Sequence, residues 1–319
     1  MLYNIIPEAV QQYMLPLSLL FSFALTVVFT AGLHKYLPKD GGRDFAVDGK
    51  KSAGKPRGAG IVFILVYVVV SLVLAPMKME YIYYLVLVAG AMATGFLDDA
   101  SKSPWGEYLK GALDLLIALL TTAVYLFHNE TNINLGFGGI TFHMPVWVFA
   151  ICSVILIWVS INVTNCADGV DGLSGTLSII TLMTIFGIIG KMGEVEFAPQ
   201  ILILIFVIIA YLWFNATPSI LMMGDGGSRA IGLFIAIAIL KSGAPLFYIP
   251  TAIVLILDGG LGLVKVFLLR FLKIKILKNV RTPLHDQVRK VNNWSNTQCV
   301  FRFAIIQAVV GVMVYLLAK

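Results

Sequence analysis

The amino-acid sequence predicts an all-α integral membrane protein that forms a single polytopic domain over residues 1–319. Of its 319 residues, 59% are hydrophobic and only 13% are charged, whereas soluble domains carry about 25% charged residues. Apolar runs long enough to cross a bilayer recur along the whole chain, which favours transmembrane helices over the short alternating strands of a β-barrel.

Ten apolar segments predict about ten transmembrane helices. They are Met14–Tyr36, Gly58–Ala75, Tyr81–Leu97, Tyr108–Phe127, Pro145–Ile161, Leu173–Gly190, Pro199–Phe214, Ala230–Lys241, Leu246–Leu269 and Val300–Leu317. The first is too long for the apolar region of a signal peptide and precedes no small-residue cleavage site, so we expect it to be retained. The eighth is the shortest of the ten.

The positions of Lys and Arg predict the orientation, since cytoplasmic connections of membrane proteins are enriched in positive charge. With both termini outside, only Lys78, Lys191, Lys241 and Lys319 of the 23 Lys and Arg residues fall outside. The net charge of +6 is therefore explained by cytoplasmic loops and does not call for a nucleic acid partner.

Two elements are predicted outside the membrane. The polar segment Asn129–His143 contains three glycines and predicts a short periplasmic β-hairpin. The basic, partly amphipathic segment Lys265–Lys290 predicts a helix on the cytoplasmic membrane surface. The three cysteines have no metal-type spacing, and we expect no disulfide framework.

The segment Asn165–Gly172 concentrates polar residues between two apolar runs. Carboxylates are unfavourable at membrane depth, so Asp168 and Asp171 predict a functional site. If the segment is helical, these two residues share a face, while glycines such as Gly169 let a ligand approach closely. A turn with aspartate caps is the alternative, and it explains single residues but not the whole set.

Two further acidic clusters end or begin predicted spans. Asp98 and Asp99 close the third span and are followed by Lys102 and Lys110. Adjacent like charges are unfavourable unless they share a cation or proton, which predicts a magnesium or general-base pair; a hydrated helix end is the alternative.

The second cluster surrounds Asp225. Asn215 ends the seventh span, and the glycine-rich turn Gly224–Ser228 leads into the eighth. Such a turn at a helix N-terminus can hold a phosphate or a metal-bound phosphate, although it also forms ordinary turns. His285 is the only histidine in the late cytoplasmic loop.

The predicted topology places all these clusters on the cytoplasmic face, where they would form one active site. Hard carboxylates without a Cys/His cluster favour Mg²⁺ over zinc, and magnesium with lysines suits phosphoryl transfer. A cation- or proton-coupled transporter is the competing class. Against it, only Asp258 and Asp114 are placed near the centre of a span, and the sequence indicates neither an inverted repeat nor a pair of helices broken by glycine or proline.

The first cytoplasmic loop, Leu37–Gly60, has two interpretations. Its segment Gly54–Gly60 is rich in glycine and cations and could let backbone and side chains approach a phosphate. Alternatively, the loop is solvated and attracted to anionic lipids.

Motifs in chain order resemble those of the polyprenyl-phosphate N-acetylhexosamine-1-phosphate transferase superfamily. They are Gly95–Asp99, Asn165–Leu173, and Phe214–Pro218 leading to Met223–Ser228. Within the superfamily the chain is most similar to the phospho-N-acetylmuramoyl-pentapeptide translocase family, through Pro283–His285, Trp294–Ser295 and Val300–Phe303.

This resemblance implies a bacterial plasma (inner) membrane enzyme of peptidoglycan synthesis. Its substrates would be UDP-MurNAc-pentapeptide and the membrane lipid undecaprenyl phosphate, its products lipid I and UMP, its cofactor Mg²⁺, and its assembly a homodimer. Direct attack by the lipid phosphate is favoured, and an aspartyl-phosphate intermediate on Asp98 or Asp99 is the alternative.

The resemblance also implies roles for individual residues. Asp225 would be the magnesium ligand, Asp98 would activate the lipid phosphate beside Asp99, and His285 would be catalytic. The implied substrate-binding residues are Lys102, Lys110, Asn165, Asp168, Gly169, Asp171 and Asn215.

Two departures from the family pattern keep a second donor open. The family's triple-histidine motif reads His285-Asp286-Gln287, and its first-loop Gly-Thr-Pro-Thr-Met-Gly-Gly reads Gly54–Gly60. The lysine that precedes that loop motif becomes Ser52, and Lys51 or Lys55 would have to supply its charge. These departures are compatible with a relative that uses UDP-GlcNAc.

Overall fold

The computed structural model describes residues 3, 5–42, 49, 52–101, 103–136 and 138–319. Lys51 and Lys102, both named above as candidates for binding substrate, lie outside these residues. The helices are α1 (Glu8–Leu33), α2 (Gly60–Leu74), α3 (Met79–Ala100), α4 (Glu107–His128), α5 (Val146–Cys166), α6 (Leu173–Met192), α7 (Ala198–Asn215), α8 (Gly224–Lys241), α9 (Tyr248–Thr251), α10 (Ile253–Leu255), α11 (Leu261–Phe271), α12 (Leu284–Lys290) and α13 (Asn296–Leu317). Two strands, β1 (Asn132–Asn134) and β2 (Thr141–His143), complete the list.

The protein is a mostly helical, multi-pass membrane protein. Seven helices of the described chain are long and apolar enough to cross a bilayer, and a bent pair, Pro245–Thr251 with Ile253–Phe271, can supply an eighth crossing. All ten predicted segments fall on helices. However, α2 has only 15 residues and α8 is not among the seven. The number of ten crossings and the orientation therefore stay predictions.

The ninth predicted span is not a straight helix. The helices on either side of Ala252 meet at 68°, and a π-helical turn from Ile256 to Gly260 follows α10. A π-turn widens the helix and marks functional sites in many proteins. Here it contains the buried Asp258.

Helix α8 is the centre of the bundle. Every residue of this helix except Asp225 is buried, and it packs against α2, α3, α5 and α6. Glycines permit this close packing: a Cβ atom on Gly95 of α3 would collide with the backbone of Asp225, and one on Gly60 of α2 would collide with Gly227. The polar start of α8 is thereby fixed against the end of α3.

The two ends of the bundle differ in what they carry. We call the end where α3 stops and α8 starts the site end, and the opposite end the far end. At the far end β1 and β2 pair antiparallel, with Ile133 opposite Phe142, which confirms the predicted hairpin. The backbone N–H of Asn134 donates to the carbonyl of Gly243 and ties the hairpin to the end of α8.

A buried ion cluster also lies at the far end. The Lys241 side chain is 1% exposed, and its Nζ donates to Glu80 Oε1 at 2.9 Å and forms an ion pair with Glu194. Glu194 also accepts from Lys78 at 2.7 Å and from the Tyr81 hydroxyl at 2.6 Å. Because a buried charge is tolerated only with partners, this cluster joins α3, α8 and the loop after α6.

We expect Glu194→Gln to lower the melting temperature at pH 7 by about 3–6 °C. Burial opposes ionisation of Glu194, but hydrogen bonds from Lys241, Lys78 and Tyr81 outweigh burial and lower its pKa to about 2 from an ordinary 4.5. The stabilisation is therefore complete above pH 4.5 and is lost as the pH falls towards 2. Melting curves of purified protein between pH 7 and pH 3 should show the difference from wild type shrinking with acid. Glu196→Gln, at an exposed partner of Lys78, is the control, and a pH-independent difference would contradict the prediction.

The predicted amphipathic helix over Lys265–Lys290 is wrong as one continuous element. Helix α11 ends at Phe271, residues 272–283 are not helical, and α12 is a separate short helix. Lys273 and Leu277 have left-handed backbone conformations, with φ of 58° and 49°, which a continuing α-helix excludes. The segment folds back instead, and Lys265 Nζ donates to the carbonyl of Val280 at 2.9 Å.

Candidate active site

The segment after α5 is a turn rather than a helix, so the interpretation that Asp168 and Asp171 share a helical face is wrong. Residues 167–172 form consecutive turns, and Gly172 ends them with a φ of +83°, a conformation that suits glycine. Asn215 holds this turn in place: its Oδ1 accepts from the Gly172 N–H at 2.8 Å, and its Nδ2 donates to the Leu221 carbonyl at 2.9 Å.

A cavity of about 470 Å³ opens at the site end. Its lining combines the first loop, the start of α4, the turn after α5, the end of α7 and the start of α8. The residues named from sequence that line it are Lys110, Asn165, Asp168, Gly169, Asp171, Asn215 and Asp225. Asp98, Asp99 and His285 contact these or neighbouring residues from behind the lining. The structure thus brings together every described residue of the predicted site.

Two cations hold the three carboxylates at the base of this cavity. Arg57 Nε pairs with Asp99 Oδ1 at 2.8 Å, and its Nη2 donates to Asp225 Oδ1 at 3.1 Å. Lys110 pairs with Asp98 and donates to Asp225 Oδ2 at 3.2 Å. Each oxygen of Asp225 therefore faces a different cation. We call these five residues the carboxylate–cation cluster.

Backbone contacts fix the cluster on the fold. Asp99 Oδ2 accepts from the Gly226 N–H at 3.2 Å, which joins α3 to the first turn of α8. Asp98 Oδ1 accepts from the Trp105 N–H at 2.7 Å in the connection to α4. Since a carboxylate that accepts backbone N–H groups is held in one orientation, the acidic pair is preorganised.

The electrostatics keep Asp225 and Arg57 charged. Burial raises the pKa of Asp225, but Lys110 and Arg57 outweigh burial and leave this pKa below its ordinary value. Burial likewise lowers the pKa of Arg57, but Asp99 and Asp225 outweigh it and leave this pKa above its ordinary value. The cavity therefore presents an ionised carboxylate beside a permanent cation.

The donor chemistry of the cluster fits magnesium. Among the residues that the structure describes, no group of three or more His, Cys, Asp or Glu side chains is arranged as a ready metal site. Magnesium is commonly held by one or two carboxylates together with waters and substrate phosphates. Asp225 reaches the cavity with a 13% exposed side chain and is the carboxylate that such an ion would use.

His285 is held by a residue from the π-helical turn. Its Nδ1 lies 2.8 Å from Asp258 Oδ2, and its backbone N–H donates to Asp258 Oδ1 at 2.7 Å. The other ring nitrogen, Nε2, lies against Gly169, where an added Cβ would collide with it. Asp258 therefore fixes the ring so that Nε2 faces the turn that lines the cavity.

Four residues in or next to the site were not assigned to it from the sequence. Arg57 and Lys55 belong to the first loop, where the cations were recognised but not placed; Lys55 donates to Ser219 Oγ at 3.0 Å and lies 3.7 Å from Asp171. Arg289 lines the cavity, and its Nη1 lies 3.4 Å from the Gly169 carbonyl. The signal for Asp258 was its unusual position within an apolar span.

Known proteins match both the site and the whole chain. Residues 81–243 match the model of glycosyl transferase family 4, a region that runs from α3 to just beyond α8. The phospho-N-acetylmuramoyl-pentapeptide-transferase of Treponema pallidum (strain Nichols) is 39% identical over 332 aligned residues, covering 94% of this chain and 91% of the relative.

More distant relatives carry the same name. That of Bacillus subtilis (strain 168) is 26% identical, covering 93% of this chain and 96% of the relative. That of Campylobacter curvus (strain 525.92) is 25% identical, covering 81% and 79%. With the family model spanning about half of the chain and the Treponema relative nearly all of it, the chain belongs to glycosyl transferase family 4 and, within it, to the phospho-N-acetylmuramoyl-pentapeptide-transferase family.

Proposed function

We propose that the protein transfers phospho-MurNAc-pentapeptide from UDP-MurNAc-pentapeptide to undecaprenyl phosphate, which gives lipid I and UMP. The carboxylate–cation cluster carries this proposal, because three carboxylates and two cations on a polar cavity suit an anionic diphosphate and a metal ion. Membership of the family and its relatives' names support the same reaction class. The active site would face the cytoplasm, and a homodimer is part of the proposal.

The transfer would be a direct displacement. An oxygen of the lipid phosphate attacks the β-phosphorus of the nucleotide, the bond from that phosphorus to the bridging oxygen breaks, and UMP leaves with the oxygen. Asp98 would position the lipid phosphate through Lys110, while Arg57 would stabilise the diphosphate. Bound magnesium would neutralise charge on the transferred group, with Asp225 as its protein ligand.

The geometry favours this route over an aspartyl-phosphate intermediate. The Asp99 side chain is fully buried and held by Arg57 and the Gly226 N–H. Asp98 is also buried and held by Lys110 and the Trp105 N–H. A nucleophile must reach the phosphorus, and the side chains of Asp99 and Asp98 are only 0% and 3% exposed behind the lining of the cavity.

A UDP-GlcNAc donor is the second candidate, because the altered histidine motif leaves room for it. At the two departing positions, Asp286 lies 3.9 Å from Arg289, and Gln287 Oε1 accepts from the Arg281 N–H at 2.7 Å. Both side chains face neighbours within their own segment. The position of His285 is therefore the part of the motif that remains available to either donor.

The transporter alternative gains no support from the two acidic residues within spans. Asp258 pairs with His285, and Asp114 of α4 pairs with the buried Arg229 of α8. A cation or proton pathway needs carboxylates that can exchange their partner along a route across the membrane. Asp114 is instead paired in place with Arg229, and Asp258 is held by the ring and the backbone N–H of His285.

A transfer assay tests the proposal. Purified protein with undecaprenyl phosphate and Mg²⁺ is offered UDP-MurNAc-pentapeptide or UDP-GlcNAc, and UMP release is measured. We expect UMP release and lipid I from the muropeptide donor. Release from UDP-GlcNAc alone would assign the second donor, and no release from either by folded protein would overturn the proposed reaction.

A further inference from the structure

Arg57 contacts the Asp225 carboxylate, which is the group that a divalent cation at this site would bind. Its guanidinium contacts Asp99 at 2.8 Å and Asp225 at 3.1 Å, and it lies 3.7 Å from Asp40. A metal ion that binds Asp225 must approach a carboxylate whose two oxygens already face Arg57 and Lys110. Like charges at such distances repel strongly, so metal binding is unfavourable while both cations stay in place.

The loop that carries Arg57 is firmly attached, so its backbone position is set before any ligand arrives. The Arg57 N–H donates to the Pro38 carbonyl at 2.7 Å, and the Met222 N–H donates to the Pro56 carbonyl at 2.8 Å. Asp40 closes the preceding turn, where its Oδ2 accepts from Ser52 Oγ at 2.6 Å. For Arg57 to release Asp225, only its side chain and not its backbone has to change its contacts.

Arg57 and Lys110 both line the cavity, with side chains 19% and 28% exposed, and they differ in the geometry of their charged groups. The planar fork of the Arg57 guanidinium matches the oxygens of a phosphate in a bidentate contact, whereas the Lys110 ammonium is a single point charge. Lys110 also pairs with the buried Asp98, and this pair remains intact if Asp225 is taken by a metal. Arg57 likewise keeps its pair with Asp99, and the fork of its guanidinium is what suits it to exchange the Asp225 carboxylate for a diphosphate.

We propose that Arg57 binds the diphosphate of the nucleotide. In the ligand-free protein Arg57 is ion-paired with Asp225 and Asp99, so it competes with the metal ion for Asp225. This competition couples metal binding to nucleotide binding. The nucleotide half of this inference rests on the proposed function. The competition for Asp225 does not, because it is measured with metal alone.

The first measurement is Mn²⁺ binding to the full-length purified protein, followed by electron paramagnetic resonance in the absence of nucleotide. Arg57→Gln should tighten Mn²⁺ binding about tenfold, because it removes the cation that contacts Asp225. Lys55→Gln is the matched control: Lys55 carries the same charge in the same loop and lines the same cavity, but it pairs with Asp171. We expect the control to change the affinity by less than about threefold.

The outcomes separate local competition from a general field effect. Unchanged or weaker Mn²⁺ binding in Arg57→Gln would overturn the proposal, and so would equal tightening in both variants. Arg57→Lys, which keeps the charge, should bind Mn²⁺ like wild type. Melting curves show whether each variant is folded. Mn²⁺ affinities are compared among the variants that melt at the wild-type temperature.

The second measurement repeats the titration with UDP present. In wild type, UDP should tighten Mn²⁺ binding both by direct coordination and by drawing Arg57 onto the diphosphate. Arg57→Gln keeps only the direct coordination, so the factor by which UDP increases the Mn²⁺ affinity should be smaller than in wild type, on the order of tenfold. An undiminished gain would overturn the diphosphate role while leaving the metal competition measured above. A failure of the proposed transferase reaction would show separately, as absence of UMP release from wild type.

Discussion

Replacing Asp225 with asparagine should abolish transfer while the solubilised protein stays folded. The carboxamide has nearly the same shape but no charge, so it removes the carboxylate through which a magnesium ion would be held. Arg57 keeps its ion pair with Asp99, and Lys110 keeps its ion pair with Asp98. The close packing at the start of α8 depends on glycines rather than on this side chain.

The expected size of the effect is a loss of UMP release of about a thousandfold or more, as for other groups that stabilise transition-state charge. UMP release and the melting temperature are measured on the same preparation. Glu196→Gln at the far end, a charge-to-amide change on an exposed carboxylate, should leave turnover within about twofold. Substantial turnover of Asp225→Asn would move the metal ligand to another residue.

Replacing His285 with alanine should lower turnover about a hundredfold or more, the range that a positioned acid–base or polarising side chain contributes. The substitution removes the Nε2 atom that lies against Gly169 in the lining of the cavity. It also leaves the buried carboxylate of Asp258 without its side-chain partner. The loss should appear in kcat for the nucleotide substrate and in a lower melting temperature.

Asp258→Asn separates the two effects, because it keeps the ring in place but weakens the contact that fixes its tautomer. We expect a loss of about tenfold to a hundredfold in kcat with a smaller change in KM. If His285→Ala retained activity while its melting temperature fell, the histidine would be a packing residue, and the altered histidine motif would have no catalytic member left.

Much of the architecture followed from hydrophobic patterning, because a bilayer requires long apolar helices wherever the chain crosses it. All ten predicted segments are helical, the hairpin forms where its glycines indicated, and the polar clusters meet at one end. Their convergence was predictable since alternate crossings return the chain to the same side. The length of α2 and the bend at Ala252 were not, because neither follows from apolar composition.

The contacts within the site were less predictable, because partners far apart in sequence decide them. Arg57 and Asp225 are 168 residues apart, and nothing local to either residue indicates the other. The spacing of Asp168 and Asp171 left both a helix and a turn open for the segment after α5, and the structure has the turn. Its geometry is set instead by Asn215, 43 residues further along the chain.

The position of α8 also has a consequence for how the protein is made. This helix carries Asp225, Arg229 and Lys241 and is surrounded by protein, so contact with lipid tails contributes little to keeping it in the membrane. Its principal neighbours α2, α3, α5 and α6 all precede it in the chain and are synthesised first. Its ionic partners Glu80 and Asp114 lie on α3 and α4 and are therefore also synthesised before α8. If α8 crosses the bilayer as predicted, we expect it to insert by packing against the earlier helices rather than by partition into lipid.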